Sequence, residues 1–568
     1  MTEGVGTEKV VADAGPNELL FLPLGGAGEI GMNLNLFGHD GKWLMVDLGV
    51  TFGDDLAPGI EVVMPDPRFI VERRDRLAGL VLTHAHEDHI GAVPYLWPRL
   101  RCPIYATPFT ASVLRQKLQE VGLAEEARIT EVPLEGGFTV GPFAIELITL
   151  THSIPEPNAL VIRTAAGSVF HTGDWKFDPT PLIGEPADMA ALRALGDQDI
   201  LAMIGDSTNV FRHGESGSEA AVRESLIELV GRCDKRVAIA CFASNVARLE
   251  TVAVVAAANN RRAALVGRSL WRMYEAAREN GYLTEIPPFL TEEEAGFLPR
   301  EEVLLAVTGS QGEPRAALAR IAAGDHPHIV LEPGDTVVFS SRIIPGNERA
   351  IARLHNALVH RGVEVISERD EFVHVSGHPA RDELVRMYQL IRPRIAVPVH
   401  GEPRHLLEHA KLASECQVPE TVVALNGDVV RLAPGRAEII GAVPSGRLAA
   451  DGTVLIPLDE PSVQMRRRLM FNGSAVATVA LDGQGEMLAP PQVTLHGIAD
   501  EAEEGDLARI VAAAVRSAVE SLPRPRRRDD TEVREAARLA MRRTIRTVRG
   551  KKPPIDIHIV RLSQVPSA

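Results

Sequence analysis

Short apolar runs separated by polar and glycine-rich stretches fill the first part of the chain, and each run has the length of a β-strand. Glu18–Leu24 and Trp43–Gly49 read as strands, and Asn33–Phe37 alternates polar and apolar residues as a strand between them would. Leu80–Leu82 reads as a further buried strand, and a helix is predicted to begin at Ile90. The pattern therefore predicts strands followed by a helix in this region.

The same pattern continues further along the chain, with helices becoming longer. Arg236–Ala240 is a predicted strand followed by a helix over Asn245–Ala258, which indicates inserted strand–helix units. The last hundred residues predict two strands, two amphipathic helices and a final strand: Ala475–Leu481, Gln492–His496, Glu501–Ser521, Asp529–Val548 and Asp556–Val560. No repeat or low-complexity tract interrupts this order.

Residues Gly26–Gly31 match the pattern G-x-G-x-x-G, which suggests a dinucleotide-binding turn. Such a turn must open a helix, whereas the following Asn33–Phe37 alternates like a strand. We therefore reject nucleotide binding here and predict a glycine-rich hairpin beside a cleft.

Composition limits the class of protein. With 568 residues the chain has room for two to four domains, and 45% hydrophobic and 24% charged residues are ordinary for a soluble globular protein. The N-terminus is polar, without the apolar core of a signal peptide, and no apolar run approaches the roughly 20 residues that span a bilayer. Four cysteines are scattered without a C-x-x-C pair, which fits a reducing cytoplasm: Cys102, Cys233, Cys241 and Cys416.

The net charge of −16 argues against a nucleic-acid partner, which usually leaves a positively charged surface. Bound divalent metal ions would locally reverse that sign. Basic residues also concentrate in Arg524–Lys552, although such a run is usually a solvated helix face.

The densest chemistry in the chain lies in Thr83–His89, with the sequence T-H-A-H-E-D-H. Three imidazoles and two carboxylates follow directly on a predicted buried strand, so they would lie on a strand-to-helix loop that faces a cleft. Histidine nitrogens and carboxylate oxygens are the usual ligands of zinc and manganese. The alternative is a polar loop that happens to be rich in histidine.

The spacing H-x-H-x-D-H resembles the signature of the metallo-β-lactamase superfamily. The resemblance implies that His84 and His86 hold one metal ion and that Asp88 and His89 hold a second. Glu87 is not a ligand in that family. Two ions about 3.5–4 Å apart can hold a hydroxide between them.

Two later segments match further motifs of the superfamily. Ala144–Pro155 delivers His152, which would complete the first ion, and Ser168–Lys176 delivers Asp174, which would bridge both ions. By the same resemblance Asp47 lies beneath the metals and orients a ligand histidine. His171 lies on a predicted strand and is assigned a structural role.

Beyond these motifs, the chain is similar to the β-CASP subgroup of nucleases and, within it, to the bacterial ribonuclease J family. The supporting stretches are G-D-S-T-N from Gly205, F-A-S-N from Phe242, T-G-S-Q-G-E-P from Thr308, H-V-S-G-H-P from His374 and P-V-H-G-E from Pro398. Asp206, His378 and His400 fit the three added motifs. Asp206 is placed behind the ligands, and His400 would be a ligand of the second ion.

The resemblance covers residues 18–450 and is looser beyond them. It implies an α/β fold: a metallo-β-lactamase αββα sandwich with an inserted β-CASP α/β domain and a small C-terminal α/β domain. We expect a flexible tail (1–17), the metallo-β-lactamase domain in two parts (18–215 and 376–450), the β-CASP domain (216–375), a linker (451–474) and a C-terminal domain (475–568).

The implied activity is metal-dependent hydrolysis of single-stranded RNA with two divalent ions, zinc or manganese. It would proceed from 5′ to 3′, favour 5′-monophosphate ends, allow internal cuts and serve RNA processing and decay. Asp88, Asp174 and His378 would be catalytic, with His378 at the scissile phosphate. The residues expected to bind substrate are Ser244, Asn245, His374, Val375, Ser376, Gly377 and His378.

Three other readings stay open from the residues. The first is a two-metal hydrolase of small molecules, such as a lactamase or thioesterase. The second is a DNA-directed β-CASP nuclease, and the third is a non-enzymatic RNA-binding scaffold. By resemblance we expect a homodimer or homotetramer that works with RNA-degradation partner proteins and has no membrane contact.

Overall fold

The computed structural model of the protein describes residues 14–53 and 57–562. Most of the predicted N-terminal tail, and the last six positions of the predicted C-terminal domain, therefore lie outside the described residues. By its internal contacts the chain divides into two compact units. One comprises the described parts of 1–51 and 63–448, and the other those of 52–62 and 449–568.

Two β-sheets form the centre of the first unit. The eight-stranded sheet contains, in spatial order, Glu438–Ala442, Asp428–Ala433, Leu19–Gly25, Leu34–His39, Lys42–Val46, Leu77–Val81, Ile104–Ala106 and Ile129–Glu131. The seven-stranded sheet contains Glu420–Thr421, Ile395–Val399, Ala202–Asp206, Gly167–His171, Asn158–Thr164, Phe143–Thr149 and Gly137–Val140. Both sheets mix parallel and antiparallel neighbours.

The two sheets pack face to face because strand residues alternate between two buried faces. Phe37 and Val81 of the first sheet share one apolar core with Ile204 of the second. Met203, the residue before Ile204 on that strand, points to the opposite face and packs against helices, including Leu384. These outer helices are Met189–Gly196, Arg381–Ile391 and Pro403–Glu415.

Helices also cover the outer face of the first sheet, where Trp43 meets Phe69 edge to face with ring centroids 5.2 Å apart. The helices of this part are Arg68–Val71, the 3₁₀ turn Arg74–Arg76, Glu87–Ile90, Val93–Leu100 and Pro108–Glu120. The four layers confirm the predicted αββα sandwich.

The inserted segment has a five-stranded sheet of its own in which all neighbours run parallel. Its strands, in spatial order, are Arg262–Val266, Val303–Val307, Val237–Ala240, Thr336–Phe339 and Glu364–Ile366. The connecting helices are Glu219–Gly231, Val246–Ala258, Arg268–Glu279, Glu292–Gly296, the 3₁₀ turn Arg300–Glu302, Ala317–Ala323 and Glu348–His360. Near-continuous apolar strands such as Val303–Val307 are buried on both faces, as parallel sheets require.

The second unit has the elements predicted for the C-terminal domain. Its three-stranded sheet contains Gln492–His496, Ser474–Asp482 and Ile555–Leu562, and its helices are Glu501–Glu520, Arg524–Arg527 and Asp530–Arg549. Alternate residues of Ser474–Asp482 are buried against the two long helices. The segment predicted as a linker contains ordered elements, strand Val454–Pro457 and helix Pro461–Asn472. Short strands lie at Thr51–Phe52, Val62–Pro65 and Arg447–Asp451.

The glycine-rich segment forms a hairpin connection, as the strand pattern predicted. Leu19–Gly25 and Leu34–His39 pair antiparallel on either side of it. Gly26, Gly28 and Gly31 all have positive φ, a conformation that glycine adopts without steric cost. No helix follows, which excludes the dinucleotide-binding turn.

Within the described residues, none of the helices combines the length and the apolar character needed to cross a membrane.

Candidate metal centre

The predicted ligands all follow strands at one edge of the two central sheets. Their positions relative to the preceding strand are His84 and His86 after Leu77–Val81, His152 after Phe143–Thr149, Asp174 after Gly167–His171 and His400 after Ile395–Val399. The sequence predicted Asp88 and His89 on the loop before the helix, but they lie within the short helix Glu87–Ile90. The carboxyl ends of the strands thus gather residues that are far apart in sequence.

Four of these residues form a first group. His84, His86, His152 and Asp174 each offer one ligand atom, and these atoms lie within 4.8 Å of one another. Nε2 of His84 and Nε2 of His152 each lie 3.0 Å from Nδ1 of His86. Nδ1 of His152 donates to the carbonyl of Gly377 at 2.5 Å, so its Nε2 keeps the lone pair. A cation among these facing nitrogens is the natural partner for their lone pairs.

Asp88, His89, Asp174 and His400 form a second group with the same 4.8 Å limit. Nδ1 of His89 lies 2.7 Å from Oδ2 of Asp47, and Nδ1 of His400 lies 3.0 Å from Oδ1 of Asn33. Because both oxygens accept, both Nδ1 atoms carry the proton and both Nε2 atoms face the group. Such outer hydrogen bonds select the tautomer that binds a metal.

Asp174 belongs to both groups. Its Oδ2 lies 3.1 Å from Nε2 of His89, 3.6 Å from Nε2 of His400 and 3.9 Å from Nε2 of His84. One carboxylate oxygen therefore lies between the two sets of nitrogens, as a bridging ligand of two ions would.

Asp47 occupies the position expected for a carboxylate that orients a ligand. It is fully buried, and it accepts hydrogen bonds from the backbone N–H and the hydroxyl of Thr83 at 2.8 and 2.9 Å. Its φ of 62° turns the chain directly after the strand. The backbone packs tightly nearby, because a Cβ on Gly49 would lie 1.7 Å from the carbonyl oxygen of Asp88.

The charges and donor atoms of the site suit divalent cations. Burial lowers the pKa of His84 and that of His86, the latter to about 4, so both rings are neutral ligands at pH 7. Burial would raise the pKa of Asp174, but His400 and His89 hold it well below its usual range. Burial would lower the pKa of His89, yet the carboxylates of Asp174, Asp88 and Asp47 raise it. This surplus of negative charge, together with the nitrogen and oxygen donors, fits divalent cations.

Asp206 and His378 form a pair beside the two groups. Nδ1 of His378 lies 2.8 Å from Oδ2 of Asp206, whose Oδ1 accepts from the N–H of Thr208 at 2.8 Å. Asp206 thus orients His378. The two residues also form a third potential cation-binding group with Asp174 and His400.

The predicted substrate-binding loop lies directly beside this pair. Oγ of Ser376 accepts from the backbone N–H of His378, and Gly377 contacts His152 through its carbonyl. Val375 is buried, whereas His374 is half-buried and its Nδ1 has no hydrogen-bond partner in the described structure. Burial and the charge of Arg248 lower the pKa of His374 to about 3.

Two predicted substrate contacts from the insert differ from each other. Ser244 is half-buried, but Asn245 is buried and its side chain is already engaged. Oδ1 of Asn245 caps helix Val246–Ala258 by accepting from Arg248 N–H, and its Nδ2 donates to Glu219. The amide of Asn245 thus fixes the start of that helix, and its assignment as a substrate contact stays a prediction.

His171, which was assigned a structural role, ends its strand and is buried. It belongs to none of the three groups of potential metal ligands in the described residues. Burial lowers its pKa to about 4, so it is neutral.

Sequence reasoning missed three residues of the site: Asn33, Asn209 and Arg342. Asn33 was read as an ordinary strand residue, yet it contacts His400 across 367 positions. Asn209 donates to Ser376 and to the carbonyl of His378, and it accepts from Arg342. Asn209 stands in the quoted G-D-S-T-N stretch, which was the available signal.

Family models match four consecutive parts of the chain. They describe a β-lactamase superfamily domain (residues 55–239), a ribonuclease J β-CASP domain (234–358), a Zn-dependent metallo-hydrolase RNA specificity domain (362–422) and a ribonuclease J C-terminal domain (461–562). The matches follow the order of the sandwich, the insert and the C-terminal domain.

Whole-length relatives agree with these models. The chain is 45% identical to ribonuclease J of Sinorhizobium meliloti, over 96% of this chain and 98% of that protein. It is 38% identical to ribonuclease J of Mycolicibacterium smegmatis (95% and 97% covered) and 36% identical to that of Thermus thermophilus (91% and 92% covered).

A crystal structure of a protein of unknown function from Enterococcus faecalis V583 matches with a TM-score of 0.51 and 15% identity. The match covers 73% of this chain and 100% of that one, and it shows a shared fold alone. The identity over nearly the whole length of its relatives decides the classification. Together with the metallo-β-lactamase sandwich and the β-CASP insert, it shows that the chain belongs to the ribonuclease J family.

Proposed function

We propose that this protein is a metal-dependent ribonuclease that hydrolyses phosphodiester bonds of single-stranded RNA, in RNA processing and decay. The observation that carries the proposal is the position of Asp174 Oδ2 between two sets of histidine nitrogens, with His378 at their side. His84, His86 and His152 would hold one divalent ion and Asp88, His89 and His400 the other, with Asp174 shared. Zinc suits these ligands, and manganese is the alternative.

Two bound divalent ions would polarise the scissile phosphoryl group and make hydroxide available at neutral pH. Asp88 would contribute to holding one of those ions, and Asp174 would contribute to holding both. Their carboxylates are ionised because neighbouring histidines outweigh the effect of burial and lower the pKa of each.

His378 would donate a proton or a hydrogen bond to the substrate. Burial alone would lower its pKa, but Asp206 and Asp174 raise the pKa of His378 to about 9, so the ring is cationic at pH 7. With Nδ1 donating to Asp206, Nε2–H is left to donate to a phosphoryl oxygen or to the departing 3′-oxygen. Asp206 stabilises the cation and sets the direction of this donor.

The choice of RNA rests on family membership and on the match to an RNA specificity domain over residues 362–422. We assign residues 216–375 as the domain that covers the cleft. We assign the loop from His374 to His378 as the phosphate-binding loop at the border of that domain. We expect degradation from a 5′-monophosphate end, with internal cuts as a second mode, because a pocket at this border would hold the terminal phosphate. We further assign subunit association to residues 475–568.

One preparation of enzyme tests the proposal against its rivals. Labelled RNA, DNA of the same sequence, a thioester and a β-lactam are each offered with zinc or manganese, and a chelator provides the metal-free control. We expect metal-dependent hydrolysis of RNA only. Equal cleavage of DNA would identify a DNA-directed nuclease, thioester or lactam turnover a small-molecule hydrolase, and RNA binding without cleavage a scaffold.

A further inference from the structure

Arg342 lies beside the catalytic loop although it belongs to the insert. Its Nη1 donates to Oδ1 of Asn209 at 2.6 Å. The Nδ2 of the same amide donates to Oγ of Ser376 at 2.7 Å and to the carbonyl of His378 at 3.1 Å. Arg342 is an exposed residue, and a single amide separates its guanidinium from the loop that carries His378.

The backbone on either side of Arg342 is fixed. Nε2 of Gln311 donates to the carbonyl of Arg342 at 2.8 Å, and Oε1 of Gln311 accepts from the N–H of Ile344 at 2.9 Å. Two residues before Arg342, Oγ of Ser340 donates to the carbonyl of Val373 at 2.7 Å. The guanidinium is thus carried by a restrained loop, in contrast to an ordinary surface arginine.

The charge of Arg342 is not neutralised by a carboxylate. Its hydrogen-bond partner is a neutral amide, and Arg342 forms no ion pair with the acids in the described part of the chain. Arg248, by comparison, is buried and paired with Glu219 at 2.7 Å. A guanidinium has five N–H donors in a planar fork, so the bond to Asn209 leaves donors for an anion.

We propose that Arg342 binds a backbone phosphate of the RNA, next to the phosphate that is cleaved. The inference rests on the proposed ribonuclease function and adds a residue that determines how the strand is held. The side-chain amide of Asn209 orients the guanidinium, because it accepts a hydrogen bond from Nη1 of Arg342 and donates to Ser376 and to the carbonyl of His378. A phosphate bridged by the fork would gain charge-assisted hydrogen bonds.

A positioning role is the competing explanation. Arg342 could act only through Asn209, by keeping the loop around His378 in place. Loss of positioning lowers kcat, whereas loss of a phosphate contact weakens binding of RNA and reduces its dependence on salt.

The test uses the full-length enzyme with Arg342→Gln and Arg342→Lys. Arg349→Gln is the matched control, because Arg349 is exposed on the following helix and contacts none of these residues. For 5′-monophosphorylated single-stranded RNA we expect Arg342→Gln to raise KM about tenfold or more, with kcat within about twofold. Arg342→Lys keeps the charge without the fork and should recover part of the loss. Thermal melting verifies that each variant folds.

RNA affinity is measured separately by fluorescence anisotropy in a His86→Ala background, where turnover does not interfere. Removing Arg342 there should lower the slope of log Kd against log salt by about 0.7, the value for one phosphate contact on a single strand. A fall in kcat with KM and salt slope unchanged would overturn the proposal in favour of positioning, and wild-type values throughout would also overturn it. Failure of the unmodified enzyme to cleave RNA would refute the ribonuclease function instead, and the binding measurement would still report on Arg342.

Discussion

Nδ1 of His378 lies 2.8 Å from Oδ2 of Asp206, although 172 positions separate the two residues in the chain. The contact joins the end of strand Ala202–Asp206 to the segment that returns from the insert. It gives the proposed proton donor a fixed direction and a raised pKa, with consequences for the pH dependence of catalysis.

We predict that Asp206→Asn moves the alkaline limb of the pH profile of kcat/KM to lower pH. We propose that the protonated form of His378 is the active one. Asp206 raises the pKa of His378, so removing the carboxylate lets the proton leave at lower pH. Activity at pH 7 should fall as well. Comparison with the wild-type profile, and with Asp197→Asn as an exposed control, gives the shift. An alkaline limb at an unchanged pH would contradict the role of this pair.

His86→Ala and His400→Ala should each abolish hydrolysis and leave the fold largely intact. Each removes a nitrogen from one of the two groups, and the remaining ligands hold a divalent ion more weakly. Metal content by mass spectrometry should fall in both variants, while circular dichroism stays unchanged. His213→Ala, an exposed histidine, is the control.

Anomalous scattering tests the second ion directly. A metal-soaked crystal should show a peak near Nε2 of His400, and a map with no peak there would refute the assignment of that residue.

We expect mononucleotide release to depend on the chemistry of the 5′ end. A monophosphate should be the best end, since a triphosphate adds bulk and charge and a 5′-hydroxyl leaves donors unpaired. The donors we assign to the pocket are Ser244, Asn245, the glycine-rich turn Thr308–Pro314 with its backbone N–H groups, and the loop from His374 to His378. Otherwise identical RNAs with the three ends are compared by following mononucleotide release. Equal rates, or shortening from the 3′ end, would exclude the pocket.

Truncation after about residue 452 should lower the molecular mass measured by light scattering, because we assign subunit association to the C-terminal domain. Its last strand, Ile555–Leu562, is an edge strand that exposes Val560 and Leu562, a surface suited to pairing. The full-length chain at the same concentration is the reference. An unchanged mass would place the subunit contacts elsewhere.

Local spacing, together with the resemblance to the metallo-β-lactamase superfamily, made much of the site predictable. His84, His86, Asp88 and His89 are close in sequence, so one strand and one short helix determine their relative positions. Strand patterns placed Asp47, His152, Asp174 and His400 directly after apolar runs, and the fold brings the ends of those strands to one edge. The C-terminal elements followed from periodicity, whereas the α/β class was implied by the resemblance to the metallo-β-lactamase superfamily.

The amino-acid sequence by itself thus determined which residues have metal-binding chemistry and which segments carry them. Only the tertiary structure decided how they are paired, since a hydrogen bond between distant residues leaves no periodic signal. Asn33 fixes the tautomer of His400, and Arg342 of the insert donates to Asn209 beside the loop that carries His378. Each of these contacts depends on packing between elements, which brings side chains from distant parts of the chain within 3 Å.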